Sequence, residues 1–177
     1  LDSWYKENLV SYSSYLADET FCNDRSVVSG NGYKVDSYTI YGAYTRLQAK
    51  KTPSLKCVQE NDKFKVSSTS AKLDYPVGLI TADEVSFAGA KSWSTENTAN
   101  TNFYLYTGAL YFTMTPAAFD SAKTSGMVML VRNNGILDTG DRENYSFGIR
   151  PVISLKSDVT ISKGDGSSIN PFVLSEN

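Results

Sequence analysis

The sequence predicts a single α+β domain over residues 1–177, with long irregular loops. Three observations support this fold class. The first sixteen residues have helical spacing, a helix start signal follows residue 80, and short β-type segments fill most of the chain after residue 100. A chain of this length can bury a core within one domain. The sequence shows no internal repeat and no low-complexity linker.

Apolar and aromatic residues recur every three or four positions at the start of the chain. They are Leu1, Trp4, Tyr5, Leu9, Tyr12, Tyr15 and Leu16. This spacing predicts an amphipathic helix whose aromatic face packs on the core. The mixed charge of its polar face argues against a membrane-surface helix. Residues 23–76 carry no comparable pattern and are expected to be mostly irregular.

The clearest local signal lies at residues 77–90. Residues 77–80 have the composition of a short strand, and Thr81 with Glu84 three residues later forms a capping box at the start of a helix. Ile80 and Val85 stand at the positions of a hydrophobic staple. Gly89 is the expected end of this helix.

The rest of the chain alternates β-type segments with turn signals. Strands are predicted at 103–106, 110–113, 127–132, 147–155, 159–161 and 172–174. Thr115-Pro116 is expected to open a short helix through Phe119, because proline suits the first helical position. Asn133-Asn134-Gly135 predicts a hairpin turn. Asp24, Asp36 and Asp165 are expected to be turn residues.

Arg150 stands in a Gly-Ile-Arg-Pro step between two apolar β segments. A guanidinium in that position needs acceptors for its fork of donors. The sequence therefore predicts a structural role for Arg150, with buried carbonyls or a carboxylate as its partners.

Composition and charge exclude some classes of function. The net charge is −2, which provides no basic field for a nucleic-acid backbone. No run of residues is long and apolar enough to span a bilayer, so membrane attachment is expected only through an anchor outside this chain. Lysines at 50, 51, 56, 63 and 65 make one stretch locally basic, which we interpret as a solvated surface.

The two cysteines, Cys22 and Cys57, stand 35 positions apart in polar surroundings. A disulfide between them would staple a poorly patterned segment and contribute about 4 kcal/mol in the chain-entropy model. The alternative is two buried, unrelated thiols. A disulfide implies an oxidising compartment, so an extracellular location is expected.

No catalytic constellation is evident. The chain has no histidine, which removes the commonest general base and transition-metal ligand. Its carboxylates are scattered, so we predict a protein that is not an enzyme and that needs no cofactor. The sequence offers one candidate calcium site, at Asp138, Asp141 and Glu143, because oxygen ligands alternate there around a glycine turn. A solvated acidic loop is the alternative.

Four aromatic residues fall in loops that the sequence pattern leaves exposed: Tyr41, Tyr44, Trp93 and Tyr145. Such side chains stack on sugars or pack against partner proteins. Trp93 is the first candidate, because it is the one large aromatic in a hydrophilic run. The alternative is that these rings cover the core beneath long loops.

Three stretches together resemble a known family. They are 79–85 (Leu-Ile-Thr-Ala-Asp-Glu-Val), 147–152 (Phe-Gly-Ile-Arg-Pro-Val) and Gly164-Asp165-Gly166 followed by Asn170-Pro171. In this order they resemble bacterial surface domains common in Firmicutes, over most of residues 1–174. That family is similar to the C-type-lectin-like fold of formylglycine-generating enzyme, the sulfatase-modifying factor.

The resemblance implies a C-type-lectin-like domain and a fragment of a longer surface protein. The enzyme relatives use a late pair of redox cysteines, which this chain lacks, so the oxidase chemistry is not carried over. The implied function is non-catalytic recognition or adhesion at the cell surface, with a glycan or protein as ligand. Some members resemble type IV pilin subunits, so the second hypothesis is a filament head domain that binds identical subunits.

Overall fold

The computed structural model describes residues 1–92, 99–122, 125–140 and 146–176. In these ranges the chain is a sheet-rich α+β fold, which confirms the predicted class. Its α-helices are short: α1 (Asp2–Asn8), α2 (Gly42–Thr45) and α3 (Ala82–Phe87). Three tighter or wider turns accompany them, the 3₁₀ turns Val10–Tyr15 and Glu60–Asp62 and the π turn Arg46–Lys50. None of the described helices has the length and hydropathy to cross a bilayer.

Most of the strands are short, and a long central one organises the fold. In chain order they are β1 (Phe21–Cys22), β2 (Val27–Ser29), β3 (Tyr38–Tyr41), β4 (Lys63–Phe64), β5 (Gly78–Leu79), β6 (Lys91–Ser92), β7 (Tyr111–Asp120), β8 (Ser125–Val131), β9 (Ile136–Gly140), β10 (Gly148–Ile149), β11 (Pro151–Val152), β12 (Val159–Lys163) and β13 (Val173–Glu176).

The main sheet has the strand order β2-β3-β7-β8-β9-β6, and β10 pairs in parallel with the start of β7. β7, β8 and β9 form an antiparallel meander that the Asn133-Asn134-Gly135 turn helps to close. Gly135 adopts a φ of +80°, a backbone conformation that glycine tolerates. Three two-stranded pairs lie outside this sheet: β1 with β4, β5 with β11, and β12 with β13.

Two apolar clusters form the core. The larger packs α3 and the π turn against one face of the main sheet, around Leu47, Val85, Met129, Val131 and Leu137. In the smaller cluster, Tyr5 of α1 packs with Leu16 and Val77. The ring of Tyr75 stacks on that of Tyr5, with centroids 4.7 Å apart.

The N-terminal helix is shorter than its apolar spacing predicted. α1 ends at Asn8 and a 3₁₀ turn continues to Tyr15, so the predicted single face is broken. Tyr5 and Leu16 are buried, but Trp4 and Tyr12 are exposed. Serine, tyrosine and valine dominate residues 10–15, and these residue types favour the α-helix less than alanine or leucine.

The predicted helix at 115–119 is wrong, because this segment belongs to β7. Its neighbours β3 and β8 both pair with it. The register with β8 shifts on each side of Pro116, and such irregularities are where a strand tolerates proline. The buried hydroxyl of Thr113 donates to the Met129 carbonyl at 2.7 Å and reinforces the same strand pair.

The predicted strand at 103–106 is also wrong. These residues form a turn in which Phe103 is buried and Tyr104 is exposed. By contrast, the helix start at residue 81 is confirmed, since the Thr81 hydroxyl accepts from the Glu84 backbone N–H and the Glu84 carboxylate accepts from that of Thr81. Asp24 and Asp165 accept backbone hydrogen bonds from residues two positions later, as expected of turn residues.

Candidate functional site

A cleft of about 200 Å³ lies where β1, β5 and the start of α3 meet. One wall is formed by Ser54, Leu55 and Lys56. They belong to residues 51–59, an irregular segment between the π turn and the 3₁₀ turn at Glu60, which we call the strap. The opposite wall includes Thr81 and Thr115. The hydroxyl of Thr115 accepts from the Ala82 backbone N–H at 2.9 Å, which joins the helix start to β7.

Three charged side chains meet at the floor of this cleft. Arg46 binds Asp83 through two contacts, Nε to Oδ1 at 3.0 Å and Nη2 to Oδ2 at 2.7 Å. Its Nη1 donates to Oδ2 of Asp24 at 2.9 Å. The side chain of Asp83 is 7% exposed, so it depends on these contacts for its solvation. We call this set the Arg46 network.

Each member of the Arg46 network is held by local structure. Arg46 begins the π turn, Asp24 lies in the turn after β1, and Asp83 occupies the first turn of α3. A carboxylate in that first turn also suits the helix dipole. The other oxygen of Asp24 accepts from the Ser26 backbone N–H at 3.0 Å, so both of its oxygens have donors.

The network keeps the carboxylate of Asp24 ionised. Burial alone would raise the pKa of Asp24, but hydrogen bonds from Ser26 and Arg46 outweigh it and lower that pKa below its usual range. Hydrogen bonding to Asp83 is the main cause that raises the pKa of Arg46. Asp24 is therefore an occupied acceptor at neutral pH, and both oxygens of Asp83 accept from Arg46, which is the arrangement of a structural network.

The predicted disulfide between Cys22 and Cys57 is confirmed, with the two Cα atoms 5.7 Å apart. It fastens the strap to β1. Two backbone contacts fasten the other end, because Thr52 N–H donates to the Arg46 carbonyl at 3.2 Å and Ser54 N–H donates to Oδ1 of Asp83 at 2.7 Å. The strap is thus held by one covalent link and by the Arg46 network.

Asp62 fixes the segment that follows the strap. It is 2% exposed, and its carboxylate accepts from the Arg25 backbone N–H at 2.9 Å and from Arg25 Nε at 2.7 Å. Its carbonyl accepts from Asn23 N–H at 2.9 Å. Together with the disulfide, these bonds hold residues 57–62 against residues 22–25.

The four aromatic candidates do not form one site. Tyr41 is 8% exposed in β3, so the expectation of an exposed ring is wrong there. Tyr44 is half-buried and packs against the larger core cluster, which favours the core-covering alternative for this residue. Trp93 and Tyr145 lie outside the described residues, and their proposed roles stay predictions.

Asp138 is a strand residue of β9 and does not lie in a loop as predicted. Its carboxylate is buried, accepts from Arg132 Nε, and also accepts from the Thr139 backbone N–H at 2.7 Å. Asp141 and Glu143, the other two predicted calcium ligands, lie outside the described residues. Within the described ranges no group of three or more acidic or cysteine side chains is placed to hold a metal ion.

Arg150 separates β10 from β11, which the sequence pattern had merged into one strand at 147–155. Its guanidinium carbon lies 4.9 Å from the centroid of the Tyr111 ring. The expected carbonyl or carboxylate partners are therefore replaced by an aromatic face in the described structure. The structural role of Arg150 stays a prediction. Its contact with the Tyr111 ring is a cation–π contact.

Sequence reasoning missed the Arg46 network. Its two ion pairs span 22 and 37 positions, and no local pattern links residues so far apart. Asp83 already had a sufficient local explanation in the first turn of a helix. The only available signal was an arginine in a segment that also supplies Leu47 to the core.

Several described segments carry exposed aliphatic or aromatic side chains on a held backbone, and two of them lie at the edge of the main sheet or beside the cleft. The first is the β2–β3 hairpin, where Val27, Val28, Val35 and Tyr38 are 40–66% exposed; we call these four the hairpin patch. The second is the strap, where Leu55 is 65% exposed and Val58 is 84% exposed. Exposed apolar side chains grouped in this way mark interaction surfaces.

Comparison with known proteins found no matching family model, no matching curated protein and no matching solved structure.

Proposed function

We propose that this chain is a non-catalytic, extracellular recognition domain of a bacterial surface protein, with a C-type-lectin-like fold. The observation that carries the proposal is the hairpin patch. It places four large side chains of low polarity at the edge of the main sheet, on a hairpin whose backbone is fixed by pairing with β7. A patch of this kind suits a protein ligand, because burying it removes apolar surface from water.

The hairpin patch is held in shape before any ligand binds. The Thr39 hydroxyl accepts from Gly32 N–H at 3.2 Å and donates to the Gly32 carbonyl at 3.0 Å. The Asn31 side chain donates to both oxygens of Asp36, at 3.0 and 2.9 Å. The ring of Tyr33 packs edge-on against Phe119, with centroids 4.9 Å apart. Such pre-organisation lowers the entropy cost of binding.

Two further observations support the extracellular and non-catalytic parts of the proposal. The disulfide suits an oxidising compartment. In the cleft, Asp24 and Asp83 are committed to Arg46.

The proposal is tested by screening the purified chain against arrays of glycans and of extracellular host proteins. We expect a specific signal that Val28→Glu and Tyr38→Glu each reduce at least tenfold. Ile169→Glu is the matched control, because Ile169 is fully accessible on a different hairpin and its substitution should leave the signal within twofold. Equal loss in all three variants would contradict a role for the hairpin patch. A signal that needs only Trp93 would move the site to that residue.

A filament subunit is the second candidate, and the position of β2 favours it. Among the described strands, β2 pairs only with β3 and is the edge of the main sheet. Its residues are all exposed, so its outer backbone groups are available to a strand of a neighbouring subunit. Negative-stain microscopy of native material should then show filaments, and interfaces between identical chains should bury more than about 1,000 Å².

A further inference from the structure

The strap joins positive charge to exposed aliphatic side chains. The strap contains Lys51 and Lys56, and Lys50 directly precedes it; we call these three the strap lysines. Residues 50–59 contain no aspartate or glutamate. All three lysines are exposed. Leu55 and Val58 are 65% and 84% exposed and lie on either side of the half-buried Cys57, and Leu55 also lines the cleft.

Nearby acidic groups cancel this charge only in part. Asp24 and Asp83 share the single charge of Arg46, and Glu84 accepts only from the uncharged Thr81, so two negative charges remain beside the three lysines. Glu60, the first acidic residue after the strap, is paired with Lys63. The strap therefore has a surplus of positive charge in a chain whose overall net charge is −2.

From this combination we infer that the strap binds the surface of an anionic lipid bilayer, with Leu55 and Val58 inserted between headgroups and the lysines on the lipid phosphates. Charge alone would suit any polyanion. The two aliphatic side chains favour lipid, because a soluble polyanion offers them no apolar phase, whereas interfacial segments combine basic and apolar residues.

The strap is also suited to insertion because it is already ordered. The disulfide at Cys57 and the hydrogen bond from Ser54 N–H to Asp83 fix both ends of the segment that carries Leu55 and Lys56. The strap therefore loses little backbone conformational entropy when it binds. This contact would use a different surface from the hairpin patch, so the two proposals stand or fall separately. It would be a membrane contact in addition to the expected anchor outside the chain.

The test is co-sedimentation of the oxidised chain with vesicles of phosphatidylglycerol and phosphatidylcholine in equal amounts, and with vesicles of phosphatidylcholine alone. We expect binding to the anionic vesicles only, weakened by salt. Each lysine near an anionic surface contributes roughly fivefold to partitioning, so Lys50→Gln with Lys56→Gln should weaken binding roughly 25-fold. Lys156→Gln with Lys163→Gln makes the same change of net charge away from the strap and should have less than a twofold effect.

Insertion is tested separately by Leu55→Ser with Val58→Ser. We expect roughly tenfold weaker binding, because the apolar area that enters the bilayer is lost. Ile169→Ser is the control and should bind within twofold of the unmodified chain. The inference is overturned if anionic vesicles do not bind, if the Leu55 and Val58 variant binds normally, or if the control lysines matter as much as the strap lysines. Binding to soluble polyphosphate without binding to vesicles would also overturn it and assign the strap to an anionic polymer.

Discussion

The β7–β9 meander and residues 20–64 lie against the same core but are held together differently. The meander has continuous backbone ladders, and Met129, Val131 and Leu137 are at most 1% exposed. Residues 20–64 contain only short pairings, such as β1 with β4 over two residues. Apart from the β2–β3 hairpin, which pairs with β7, their shape depends on the disulfide and on three carboxylates, Asp24, Asp62 and Asp83.

This difference determines what each region responds to. Apolar burial and backbone hydrogen bonds are insensitive to redox conditions and mild acid. A disulfide is broken by reduction, and ionised carboxylates are protonated in acid. The region that carries the strap is therefore expected to loosen under reduction or acid while the meander stays intact.

Removal of Arg46 is expected to cause the largest loss of stability in residues 20–64. Arg46→Ala leaves Asp83 buried without its ion pair, and breaking a buried pair in this way costs about 3–5 kcal/mol of unfolding free energy. Urea denaturation at pH 7 measures the loss. Lys50→Ala, four residues away on an exposed position, is the control and should change stability by less than about 0.5 kcal/mol. Similar stability of the Arg46 and Lys50 variants would show that the network is incidental.

Acid should weaken the same region. The pKa of Asp24 is lower in the folded chain than in the unfolded chain; burial opposes this shift, and hydrogen bonds to the carboxylate outweigh it. The stabilisation from Asp24 is fully present above the unfolded pKa, near 4, and is lost as the pH falls through the folded value. The urea midpoint should therefore fall between pH 5 and pH 3. In Asp24→Asn that fall should be smaller; an identical fall would contradict the role of Asp24.

The capping box at the start of α3 should make the smallest of these contributions to stability. Thr81→Ala removes the capping hydroxyl that accepts from Glu84 N–H at 3.1 Å, and such substitutions cost about 1 kcal/mol. The melting temperature of Thr81→Ala is compared with that of a control, Thr101→Ala. Thr101 is exposed and lies outside any helix or strand. Equal melting temperatures for the two variants would mean that the cap is dispensable and that packing of Val85 alone holds the helix.

Sequence reasoning succeeded where the cause of a structure lies within a few residues. Thr81 and Glu84 are three positions apart, and the turn at Gly135 depends on its own backbone. It failed where distant segments decide. Pro116 is a local helix signal, but β3 and β8 pair with that segment and override it. Arg46 and Asp83 are 37 positions apart, so only the folded chain brings them together. The disulfide was an exception, because two cysteines allow only one pairing.

Hydrogen exchange measured with and without a dithiol reductant is the most direct test of the contrast between the two regions. Reduction converts the Cys22–Cys57 disulfide to two thiols while the reductant is oxidised to its own disulfide. We expect amides of residues 52–62 to exchange at least tenfold faster after reduction, and those of β7, β8 and β9 to change by less than twofold. A uniform increase across the meander and the strap, or no increase in the strap, would contradict the account.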